Sequence, residues 1–101
     1  MLSGILLSCY HFTAIQVMPR KLVERTQTGV RLEKSLLKVL KGLAEYCDIS
    51  LGDLLEGIVL HAFEGKAPFS PETQAAIKNL KKVYRCELSA GDSHRLKEAS
   101  E

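Results

Sequence analysis

The chain contains no tryptophan, and phenylalanine and tyrosine supply only three residues each. A core must therefore be built from aliphatic side chains, and helices suit that composition. There are three cysteines, Cys9, Cys47 and Cys86, odd in number and far apart in sequence. No CxxC or Cys/His ligand spacing exists, so neither a zinc site nor a disulfide framework is predicted. Reduced thiols in a cytoplasmic protein are the expectation. The sequence also lacks a nucleophile–base pair, a paired-carboxylate constellation and a Gly-rich phosphate loop. Neither an enzyme nor a cofactor is expected. His11, His61 and His94 have no ligand partner at useful spacing, and no metal is expected. Internal repeats and low-complexity stretches are missing as well, and 101 residues leave room for one domain with tails.

A membrane anchor is not expected either. Residues 1–18 are mostly apolar, but Tyr10, His11, Thr13 and Gln16 interrupt the run and no Lys or Arg precedes it. The run is shorter than the roughly 20 residues that cross a bilayer. Met18-Pro19-Arg20-Lys21 looks like a natural start, so residues 1–18 are treated as an N-terminal arm or an over-extended reading frame.

The net charge of +2 hides a pattern. Residues 19–50 carry seven basic groups against four acidic ones, and residues 67–86 four against one. The stretches between and after them are acidic. A basic first half in a nearly neutral chain suits a polyanionic partner on one face, although such excesses are commonly a solvated surface.

Residues 26–32, Thr-Gln-Thr-Gly-Val-Arg-Leu, alternate with a period of two, which predicts a strand. Thr28, Val30 and Leu32 share one face; Gln27, Gly29 and Arg31 share the other. From residue 33 the apolar positions switch to helical spacing through Leu36, Leu40, Leu43 and Cys47, with Lys34, Lys38 and Lys41 opposite. Asp48 marks a turn. A second helix starts at Ser50, an N-cap with Asp53 three positions on and Ile49 placed to staple onto Leu54. Leu54, Leu55, Ile58 and Val59 continue its stripe to about Phe63, where Gly65 and Pro68 end it. Ser70-Pro71-Glu72 opens a third amphipathic helix that runs to about Arg85, with Lys78, Lys81 and Lys82 on its polar side.

One predicted strand followed by helices leaves backbone groups unpaired, and pairing with the same strand of a second copy is the simplest remedy. Here the stretch from Gln27 to Val59 resembles the ribbon–helix–helix repressors of the Arc and MetJ type. The likeness lies in the alternating strand ending in Arg-Leu, the helix with a late Ala44-Glu45, the short turn and the capped second helix. It implies a mainly α fold in which one β-strand pairs across a homodimer two-fold, with an extra C-terminal amphipathic helix. Residues 19–66 would form that domain and 67–101 the added helix and tail.

The resemblance also implies a function. The paired strands would enter the major groove of double-stranded DNA, with Gln27, Gly29 and Arg31 at base edges and Arg31 the best reader of guanine. Arg25, Lys34 and the start of the second helix (Ser50, Leu51, Gly52) would hold phosphates. Val30, Leu32, Leu36, Leu40, Leu43, Leu54, Leu55, Ile58 and Val59 would form the dimer core. Gly29 departs from the polar residue usual at its position, and Asp53 puts a carboxylate beside the phosphate site. The expectation is a dimeric repressor or autoregulator. Its rivals are an antitoxin that offers residues 68–101 to a protein partner, and a dimeric interaction protein that does not bind DNA.

Overall fold

The computed structural model describes residues 21–99. They form three α-helices, α1 (Lys34–Cys47), α2 (Leu51–Phe63) and α3 (Pro71–Val83), and a short 3-10 turn at Ala90–Asp92. Each start has a local cause. The Glu33 carboxylate caps α1 by accepting from the Leu36 amide at 2.8 Å and the Ser35 hydroxyl at 2.7 Å. Those hydrogen bonds, the Ser35 hydroxyl first, hold the Glu33 carboxyl below its usual range. Ser50 caps α2 through the Asp53 amide at 3.1 Å. Ser70 caps α3 through the Thr73 amide at 3.2 Å, with Pro71 in the first turn. The ends close on left-handed residues, Asp48 after α1 and Gly65 beyond α2.

Helix α1 is central and packs against both others, more extensively on α3. The core is small: Leu43, Ala44, Cys47 and Leu54 are buried, ringed by Leu40, Ile49, Ile58, Phe69, Ile77 and Leu80. Ile49 and Leu54 belong to one cluster, as the staple at the start of α2 predicts. Thr73 is a fully buried polar residue that hydrophobic periodicity does not single out. At Gly42 α3 approaches α1 closely: a Cβ at that position would lie 3.1 Å from Leu80 Cδ2 and 3.5 Å from Tyr84 Cε2.

The predicted strand is not present. Residues 26–32 carry no secondary structure, no strand occurs among the described residues, and every residue from 21 to 34 is exposed. The ribbon–helix–helix architecture expected from the sequence is thus corrected to three helices preceded by an extended segment. The physical reason is that period-two alternation specifies two faces without supplying a ladder partner. The segment is held by side chains instead. Arg25 forms a bidentate pair with Glu56 of α2, both contacts at 2.8 Å, and Arg31 pairs with Glu98 of the C-terminal tail.

Cys86 is free and buried, and Cys47 is fully buried in the core, while Cys9 lies outside the described residues. No helix among the described residues is long and apolar enough to cross a membrane. The N-terminal arm, residues 1–18, lies outside the described residues.

Candidate functional site

The residues singled out for DNA contact fall into two groups. Gln27, Gly29 and Arg31 lie exposed on the extended segment, as does Arg25. Both arginines already face carboxylates. The Arg25 fork on Glu56 is the main reason the Glu56 carboxyl sits below its ordinary range. Each pair is open to water, and such exposed pairs contribute little to stability. Phosphate oxygens can therefore compete for both guanidinium groups at modest cost.

Lys34, Lys38 and Lys41 are exposed along one side of α1, at the spacing that aligns side chains on a helix surface. At the other proposed phosphate site, the Ser50 hydroxyl is used as the cap of α2. The backbone at Gly52 is open, with no atom within 4 Å of where a Cβ would sit. Asp53 is exposed in the same turn, so the anion-attracting amides of Leu51 and Gly52 share their surroundings with a carboxylate.

The residues expected in a dimer core divide differently. Leu43 and Leu54 are buried within the chain's own core, with Leu40 and Ile58 packed against them. Leu55 is half-buried, while Val30, Leu32, Leu36 and Val59 are exposed. The expectation missed the outer side of α2. This helix is the most apolar of the three, yet only Leu54 is buried. Val59, Leu60 and Phe63 are 43%, 62% and 80% exposed. With Val23 and Leu55, Val59 and Leu60 line an open groove of about 570 Å³. Lys21, Glu24, Arg25 and Glu56 stand around it, two charges of each sign. The signal was in the sequence: α2 is apolar on more sides than one core can cover.

Helix α3 packs on α1 through Ile77 and Leu80, while Val83 is exposed beyond that contact. The Lys81 amine donates to the Leu88 carbonyl, and the chain after α3 folds back across the groove between α1 and α3. His61 is half-buried with Nδ1 2.7 Å from the Gly57 carbonyl, a contact within its own helix. Among the described residues no group of three or more His, Cys, Asp or Glu could hold a metal ion. Comparison with protein-family models, curated proteins and solved structures found no match.

Proposed function

We propose that this protein is a non-enzymatic homodimeric regulator of double-stranded DNA, joined through α2, with the exposed cations of residues 21–41 meeting the phosphate backbone. The observation that carries the reading is α2 itself, a capped apolar helix that buries one residue and leaves Val59, Leu60 and Phe63 in water. An uncovered apolar surface of this kind is the usual mark of an association site. Its rim carries balanced charges, so a second copy turned by a two-fold can set each cation against an anion.

The DNA half of the reading is supported by Lys21, Arg25, Arg31, Lys34, Lys38 and Lys41, all exposed. Within this reading Arg31 and Gln27 are the groups suited to base edges, because a planar fork or an amide matches guanine or adenine. The ribbon geometry is not part of the proposal. A second reading, an interaction protein that does not bind DNA, is favoured by the ion pairs that already occupy Arg25 and Arg31.

Fluorescence polarisation with labelled duplexes, repeated over a salt series, separates the two. DNA binding predicts an affinity that falls by about 0.9 log units per contacted phosphate for each tenfold rise in salt. Sedimentation that shows a dimer, combined with no binding to any duplex at low salt, would leave the second reading standing.

A further inference from the structure

The cations of α3 have no part in that reading. Lys78, Lys82 and Arg85 are all exposed; the two lysines lie one turn apart on α3 and Arg85 lies just beyond its end. They line one open concavity of about 410 Å³ together with Lys81, Cys86 and Glu87, which is the only acid on it. The ion pairs among the described residues engage Arg25, Arg31 and Lys66 and none of these three. The positive charge here is therefore less compensated than on the extended segment.

Arg85 adds a backbone observation. Its φ is 56°, the left-handed conformation in which glycine closes a helix most cheaply. The turn is fastened by the Cys86 amide on the Lys81 carbonyl at 2.8 Å. A long cationic side chain at such a position costs backbone energy that a glycine would not. The preference for cations at a helix C-terminus accounts for Lys81 and Lys82 but not for an arginine in this conformation.

We propose that the edge formed by Lys78, Lys82 and Arg85 is a second DNA-backbone contact; the proposal rests on the DNA-binding reading above. Lys78 and Lys82 stand one turn apart on α3, and Arg85 follows in the turn that closes the helix, so that the three cations front one concavity. Because α3 is packed on α1, the edge is presented as a fixed surface and contacts the backbone irrespective of sequence.

The test compares three triple variants of the full chain in duplex titrations over a salt series, with circular dichroism to confirm folding. The first is Lys78→Gln, Lys82→Gln, Arg85→Gln. The second is Lys34→Gln, Lys38→Gln, Lys41→Gln on α1. The third is Lys66→Gln, Arg95→Gln, Lys97→Gln, which removes the same charge from exposed sites outside both surfaces. The α3 triple is expected to lose affinity on the order of a hundredfold at about 0.1 M salt and to flatten the salt slope by two to three. The third triple should change little. If the α3 and third triples lose affinity equally, only net charge matters and the edge is a solvated helix end. Loss in the α1 triple with an unchanged α3 triple overturns the second contact and keeps the DNA reading. A wild type that binds no duplex at low salt overturns both.

Discussion

Replacing Leu60 with glutamine tests whether α2 joins two copies. The side chain is 62% exposed in the single chain, so about three-fifths of its hydrophobic stabilisation is still to be gained. Full burial of a leucine is worth about 2 kcal/mol, which leaves about 1.2 kcal/mol for an interface to capture. A two-fold interface uses every residue twice, so the dimer stands to lose about 2.5 kcal/mol. At about 1.4 kcal/mol per tenfold, the dissociation constant should rise between thirty- and a hundredfold. Glutamine keeps the helix propensity of the site, and Leu60 is not part of the buried cluster. The helical signal of Leu60→Gln should therefore match that of the wild type at concentrations where both are monomeric. Sedimentation velocity over a dilution series from about 1 to 300 μM reads the constant directly. A wild type that stays monomeric throughout, or a variant with an unchanged constant, would refute α2 as the shared surface.

Further predictions concern the chain's own stability. Leu54→Ala removes a fully buried side chain at the junction of α1 and α2, and should cost about 2–5 kcal/mol in urea unfolding. The Arg25 pair depresses the Glu56 carboxyl, so its stabilising effect is complete above the unfolded value of about 4.3 and fades as pH falls through the folded value. Glu56→Gln should thus lower the melting temperature slightly near neutrality, and in melts across the pH range the difference from wild type should begin to shrink below about 4.3 and vanish once the folded carboxyl is protonated.

The helices were legible because their signals are local. Ser50 and Ser70 cap through bonds that span three residues, and Gly65 and Asp48 end helices by their own backbone conformations. The bounds of α2 and the start of α3 follow from those residues, whereas α3 ends at Val83, two residues short of the expected Arg85. The Glu33 cap of α1 was missed because glutamate is not among the favoured capping residues. The strand was misread because Thr28, Val30 and Leu32 describe a face, whereas a ladder depends on a partner that no local pattern names. The ion pairs that hold this segment, Arg25 to Glu56 and Arg31 to Glu98, join residues far apart in sequence. Spacing cannot show them. The α2 surface differs: its apolar residues are plain in the sequence, but how few of them the core covers depends on the packing of the other helices.

The bare backbone at Gly42 has a mechanical consequence. With Leu80 and Tyr84 resting where a side chain would otherwise project, the third helix sits on the first like a lever on its mount. A valine or larger residue there would act as a wedge, tilting the lever about its contact line while leaving every charged group intact. The angle between the lysines of one helix and the cations of the other could then be reset at a single uncharged position.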